Sequence, residues 1–495
     1  MKVLHLYLSI LYLTVLFISA CSETEVPPDI DEQFNGFESF EVAEILVKNC
    51  ALPECHRGGT AENGLSYESY SKMIEGSIGR HFGGHDHKNF PKPMHGTTYG
   101  GSPVVPFDAE NSLMYNLITG NISNPDLQMP YQKNPLSQSQ IEILKNWINN
   151  GAKDFNGSVP YSGPNKVFVC NQWSDEIYII DTDYKVVSGI LDVDVTPTVR
   201  DQPHNIQIWG SYYYVTLITA GQLLKIDAAN NQVVGRVTGL EAPGMIMISP
   251  DGKTAYVSKS STAPGVYSII YVIDTETMER KTTEINLPVP GLPHALWLNS
   301  DGKKLYVANM TRDRISIVDT DINEVVDDII LSAAPVVYEP MHIYLSPDDK
   351  YLYINCRTSS TMLIYDTETN QRLKELPIKN HPMQSAISPD GNKIYVVSHH
   401  EPNITEITKN GADWTITKEY ENIDAFHHLY GADLSADGRY LFISCSNVED
   451  DYRPSYEIPG KERPSLLCIY DTQLGELVKV LDIGSYSTGV AARQN

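Results

Sequence analysis

Ser249-Pro250-Asp251-Gly252-Lys253-Thr254-Ala255-Tyr256-Val257, followed shortly by Tyr271-Val272-Ile273-Asp274-Thr275, is the stretch from which the fold of most of the chain can be read. Ser-Pro-Asp-Gly is turn chemistry: proline presets φ, aspartate bonds its own backbone and glycine accepts a left-handed φ. The Tyr-Val steps on either side are strand chemistry. The turn returns as Asn299-Ser300-Asp301-Gly302, Ser346-Pro347-Asp348-Asp349, Ser388-Pro389-Asp390-Gly391 and Ser435-Ala436-Asp437-Gly438. The strand after it returns at Phe168-Val169, Tyr214-Val215, Tyr306-Val307, Tyr353-Ile354, Tyr395-Val396 and Leu441-Phe442. A third strand ends on Asp181-Thr182, Asp227, Asp319-Thr320, Asp366-Thr367 and Asp471-Thr472, and is degenerate in the sixth repeat (Ile404-Thr405-Glu406-Ile407).

A period of roughly 45 residues with four strands per unit is the signature of a β-propeller, because one such sheet exposes both faces until neighbours stack on it. Seven second-strand signatures predict seven blades over 165–495. Nothing before Lys166 can serve as the innermost strand of the first blade, so Thr488-Gly489-Val490-Ala491 is expected to supply it and close the ring. The repeats resemble the YVTN family of seven-bladed propellers, a likeness that speaks to fold and not to function.

Residues 156–164 (NGSVPYSGP) form a turn-rich linker, and 40–155 upstream of them carry a different pattern. Phe40–Lys48 reads as a helix with Val42, Ile45 and Leu46 on one side, running into Cys50-Ala51-Leu52-Pro53-Glu54-Cys55-His56. Two thiols can add to the two vinyl groups of a haem, and the next residue then sets an imidazole beneath the iron. Taken alone, Cys50 and Cys55 would serve equally as a local disulfide in an oxidising compartment. Leu127-Gln128-Met129-Pro130 supplies a methionine on an extended segment. Ser137 and Gln140 then make a capping box, with Leu136 and Ile141 as its staple. Ile141, Leu144, Trp147 and Ile148 share one helix face before Gly151.

This order resembles the class I c-type cytochromes, and within them the small bacterial modules that also carry Gly64-Leu65, Tyr70, Leu136-Ser137 and Gly151-Ala152. The resemblance implies that Cys50 and Cys55 hold one haem c, that His56 is the proximal iron ligand and that Met129 is the distal one. A thioether there stabilises ferrous iron and raises the potential. Four residues separate the cysteines, against two in the usual Cys-x-x-Cys-His signature. Residues 80–101 also depart from the pattern, with His81, His85, His87, Met94 and His95 among glycines. They read as a polar surface loop, as a second metal site, or as the source of a histidine in place of Met129. The expected fold class is therefore a small all-α cytochrome c domain followed by an all-β seven-bladed propeller.

Met1-Lys2 precedes an apolar run from Val3 to Ala20, the anatomy of a secretory signal over 1–20. Its ending, Ile18-Ser19-Ala20-Cys21, resembles a bacterial lipobox, which implies lipidation of Cys21 and a lipoprotein held at the cell envelope, most simply the outer membrane, through that anchor only. Residues 21–39, acidic and carrying Pro27-Pro28, read as a flexible tether. Lys plus Arg number 37 and Asp plus Glu 62, a net charge of −25. That charge excludes nucleic acid as a partner and suits a basic redox protein.

The inner strands are expected to begin at Pro203-His204, Pro243-Gly244, Pro293-His294, Pro340-Met341-His342, Pro382-Met383 and His428-Leu429-Tyr430. His204, His294, His342, Met383 and either His427 or His428 then line one channel mouth, as wet polar lining or as ligands for copper or a second haem. Gly244 and Tyr430 interrupt such a ring and favour the first reading. His399-His400 reads as a surface loop, and Glu449–Pro464 as a long last-blade loop suited to contacting a ligand or partner. Cys170, Cys356 and Cys445 read as buried thiols, with Cys468 near enough to Cys445 to pair. No nucleophile elbow, phosphate loop or Ser-His-Asp pattern is present. The leading expectation is an electron-transfer cytochrome whose propeller docks a partner or ligand. The alternatives are an oxidoreductase with a second centre, resembling the dihaem nitrite reductases but with seven blades rather than eight, and a surface binding module with an accessory haem.

Overall fold

The computed structural model describes residues 29–53, 55–58, 64–77, 101–261, 268–333, 335–421, 425–448, 456–461 and 463–492. Cys21, with the signal and most of the tether, lies outside them, as do His81, His85, His87, Met94 and His95. Among the described residues no helix is long and apolar enough to cross a membrane.

Helices come first and strands follow. The helices are α1 (Phe40–Asn49), α2 (Tyr70–Ile74), α3 (Leu113–Thr119) and α4 (Gln138–Asn149). The capping box opens α4: the Gln140 N–H donates to Ser137 Oγ at 3.4 Å, and the Ser137 N–H donates to Gln140 Oε1 at 2.9 Å. The apolar faces of α1 and α4 meet, with Leu46, Leu144, Trp147 and Phe37 in one core. Trp147 and Tyr70 bury rings and satisfy their polar ends on backbone, at Lys153 O and Ala152 O, both at 2.9 Å.

From Lys166 onward the chain forms seven antiparallel sheets of a seven-bladed β-propeller. Six have four strands; in the third blade the outer strand is split into Glu279–Arg280 and Ile285–Asn286. Side-chain hydrogen bonds explain why the turn motif repeats. In the first copy Ser249 Oγ donates to Asp251 Oδ1 at 2.6 Å and accepts from the Thr254 N–H at 2.9 Å. Ser346, Ser388 and Ser435 make the same pair of bonds. The fourth turn position is left-handed throughout, at φ 73° for Gly252 and φ 58° for Asp349, which stands where the other copies have glycine. The Asp-Thr motif locks onto that position: the Thr320, Thr367 and Thr472 hydroxyls donate to the carbonyls of Gly302, Asp349 and Gly438 at 2.7, 2.6 and 2.9 Å.

The C-terminal strand Ser487–Ala491 occupies the inner position of the first blade, pairing Phe168 with Ala491 and Val169 with Val490. Beside it the last blade needs a glycine, since a Cβ on Gly431 would lie 2.1 Å from Thr488 O. All seven inner strands carry a register shift close to the strand's start. Such bulges turn side chains out of strict alternation, and here they do so around the channel mouth. The helical unit abuts the first and last blades, with Val105 packed among Val167, Val169, Tyr178 and Leu481.

Candidate functional site

The helical unit holds a mostly apolar cavity of about 60 Å³. Cys50, Cys55 and His56 line one side with Leu65 and Tyr67; α3 supplies Leu113, Met114, Leu117 and Ile118; Met129 and Tyr131 add to the lining. The site is built by a helix end. α1 starts at Ser39, whose Oγ accepts from the Val42 N–H at 3.3 Å, and its last turn delivers Cys50, whose N–H donates to Leu46 O at 2.9 Å. The chain then folds back: the Cys55 N–H donates to Leu52 O at 3.0 Å and the His56 N–H to Cys50 O at 3.2 Å. That turn absorbs the two extra residues and keeps His56 against the first cysteine.

His56 Nδ1 donates to Leu65 O at 3.0 Å, and its ring meets Tyr67 edge-on with centroids 5.3 Å apart. The bond occupies Nδ1 with its proton, so a metal could be bound by this ring only through Nε2, the arrangement that outer partners impose on metal-binding histidines. Burial, with Cys55 beside it, pushes the Cys50 thiol up to about 12, so the group stands as a thiol and not a thiolate. Burial likewise holds the Tyr67 hydroxyl well above its ordinary range. Met129 is half-buried, and its N–H donates to Leu117 O at 3.0 Å, tying its segment to α3. Gly64-Leu65 belonged to the sequence pattern, but nothing in the sequence marked the Leu65 carbonyl, Tyr67 or α3 as parts of this site.

The second candidate site is the channel mouth. His204 and His294 stand with ring centroids 6.1 Å apart, and Tyr430 lies 6.4 Å from His204. Gln172 Nε2 meets His204 Nδ1 at 2.5 Å, and His294 Nδ1 donates to Met341 O at 2.8 Å. His342 sits deeper, 6.5 Å from Trp297 and 5.7 Å from Tyr344. Burial holds His204 and His342 down to about 3 and His294 to about 4, so all three are neutral at pH 7. Behind them runs a channel cavity of about 390 Å³, lined by Asn205, Gln207, His342 and Gln384 among apolar side chains such as Trp297.

Met383 does not join this lining. It packs in the blade core with Met310 and Met341, while the next residue, Gln384, faces the channel. The bulge between Pro382 and Ser385 breaks the alternation on which the expectation rested. His399-His400 is also more than a surface loop. His400 is exposed, but the two rings continue a row from His381 to His428, with centroid steps of 3.8, 5.0 and 4.6 Å. Burial and these neighbours hold His399 down to about 3. Among the described residues no three His, Cys, Asp or Glu side chains are arranged to hold a metal ion. Cys170, Cys356, Cys445 and Cys468 are buried; the last two approach to 3.4 Å between sulfurs as free thiols.

No family model and no curated protein matches the chain. Among solved structures it is similar to a hydrazine synthase of Kuenenia stuttgartiensis at 22% identity, over 49% of this chain and 66% of that one, with a TM-score of 0.40. The chain thus spans just under two thirds of that protein's length. It is similar to a functionally unknown protein of Desulfotomaculum acetoxidans DSM 771 at 16% identity, over 67% of this chain and 99% of that one, with a TM-score of 0.53. A third likeness is to the Cps50 (Swd1) beta-propeller domain of Myceliophteria thermophila, at 13% identity over 58% and 88% of the two chains, TM-score 0.46. At 16% identity the second of these likenesses bears on fold alone.

Proposed function

We propose that residues 40–155 bind one haem c, that Cys50 and Cys55 are its covalent attachment points, and that His56 and Met129 are its proximal and distal ligands. The protein is then an electron-transfer protein, anchored through a lipid on Cys21 in the bacterial envelope, with the propeller as its docking or recognition module. The observation that carries this reading is the meeting of Cys50, Cys55, His56 and Met129 around one apolar cavity, although Met129 lies far from the others in sequence. The donor set fits the group: two thiols within one turn, an imidazole with Nδ1 already committed, and a soft sulfur on the facing segment. When bound, the haem supplies a one-electron iron couple. The chain's own part is to orient His56 through Leu65 O, to exclude water with α3 and Tyr67, and to hold Met129 through Leu117 O. The net charge of −25 favours a basic partner surface. The channel cavity of about 390 Å³, lined by polar and apolar side chains together, supports recognition of a small ligand there.

Two experiments test the reading. In a host competent in haem attachment, haem stain should follow the polypeptide on a denaturing gel, and Cys55→Ser should lose covalent attachment through that position. An unstained wild-type band would overturn the proposal. Met129→Ala should abolish the sulfur-to-iron charge-transfer band and lower the potential by the order of 0.1 V, a fraction of the roughly 0.8 V range that axial ligands set. If substitution of His81, His85 or His87 removes the native ligand field instead, Met129 is not the ligand.

A further inference from the structure

One wall of the cavity comes from neither the helical unit nor the linker. Tyr456, in the insertion of the seventh blade, lines it alongside Met129. Two residues on, Ile458 is buried against Leu113 and Leu117 of α3 and Ile122 just after it. The Ser123 N–H donates to Glu457 O at 2.8 Å. Lys461 Nζ donates to Asn111 Oδ1 at 2.6 Å and pairs with Glu176 of the first blade at 3.2 Å. Leu117, on which Ile458 rests, is the residue whose carbonyl holds the Met129 N–H. Insertion, α3 and Met129 therefore form one chain of contacts. The insertion leaves its blade between Cys445 and Ser465, at the end of the propeller where the inner strands begin.

We propose that the segment Tyr456–Lys461 of the seventh blade is a positioning element of the haem pocket, which presses α3 and the Met129 segment over the cavity and closes the side through which a small ligand would enter. This rests on the haem reading above. The propeller is then a structural part of the pocket, and whatever moves the insertion changes how firmly the sulfur is held.

The test uses the full-length holoprotein, with imidazole as the competing ligand. Ile458→Asp should weaken the sulfur-to-iron band and tighten imidazole binding about tenfold, the lower end of what outer partners contribute at metal sites. Ile458→Val should bind as the wild type does, and the melting of the propeller should not move in either variant. A haem-bearing Ile458→Asp protein with unchanged imidazole affinity would overturn the positioning role while leaving the haem reading intact. A wild-type protein without covalent haem would overturn the reading itself. Should Ile458→Asp fail to accumulate, Lys461→Met removes only the polar anchor. It should shift imidazole affinity in the same direction by a smaller factor, and no shift there would equally overturn the proposal.

Discussion

Deleting residues 486–495 is expected to unfold or aggregate the whole propeller rather than one blade. The strand Ser487–Ala491 is buried along its length; it belongs to the first blade and packs against the last. It pairs with Lys166–Asn171 on one side. On the other, Ser444 Oγ and Ser446 Oγ donate to the Thr488 and Ser487 carbonyls, both at 2.7 Å, and the Ala492 N–H donates to Asp433 Oδ2 at 2.8 Å. Its loss leaves a ladder edge and the inner faces of two blades in water. That is comparable to the whole stability of a domain, about 5–15 kcal/mol, and it opens an edge to other chains. A point variant separates this from an effect of truncation. Gly431→Ala sets a Cβ 2.1 Å from Thr488 O, a backbone atom that cannot swing aside. It should cost about 3 kcal/mol, the upper end of ordinary overpacking. Thermal melts followed by far-UV circular dichroism and by gel filtration read both. A truncated protein that melts with the full-length chain would mean that the ring closes by another strand.

The propeller was legible because its information is local and repeated. In four turns a serine bonds the aspartate two residues on and the backbone five residues on, and the Thr320, Thr367 and Thr472 hydroxyls bond back to the turns of their own repeats, so these repeats write their own geometry into the sequence. The closing strand was legible by counting, since one blade lacked an inner strand. The residues of the proposed haem site were legible as types and order. Their support was not: the Leu65 carbonyl carries no side-chain signal, and Tyr456 arrives from more than three hundred residues away through the closure of the ring. The channel mouth failed in detail for a different reason. Alternation predicts which inner-strand residues face the channel, but bulges near the strand starts reset the count, which buries Met383 and turns Gln384 inward. The row from His381 to His428 is assembled from turns of different blades that no spacing connects.

Those buried imidazoles predict a marked loss of propeller stability between pH 7 and pH 5. His204, His294 and His342 are 8, 8 and 9% exposed, and burial is the main cause that holds them down to about 3, 4 and 3. In the unfolded chain each returns to about 6.5. A folded value below the unfolded one means that the unfolded state takes up protons first as the pH falls. The stabilisation is therefore complete above about pH 6.5 and drains away towards pH 3–4. At pH 5 the deficit is about 2 kcal/mol per histidine, from 1.36 kcal/mol per unit over about 1.5 units. The three together give several kcal/mol, which for a domain of this size lowers the melting temperature by roughly 5–10 °C. An opposing effect exists, because protonating surface carboxylates relieves the repulsion of a chain at −25. It acts mainly nearer pH 4, where carboxylates titrate, and salt screens it, whereas the buried imidazoles are screened much less. Melting at 0.15 M salt should thus show the histidine term between pH 7 and 5, and His342→Gln should flatten part of the slope. A melting temperature that stays level from pH 7 to 5 would mean that these rings are protonated in the folded propeller, and the channel mouth would then be cationic rather than neutral.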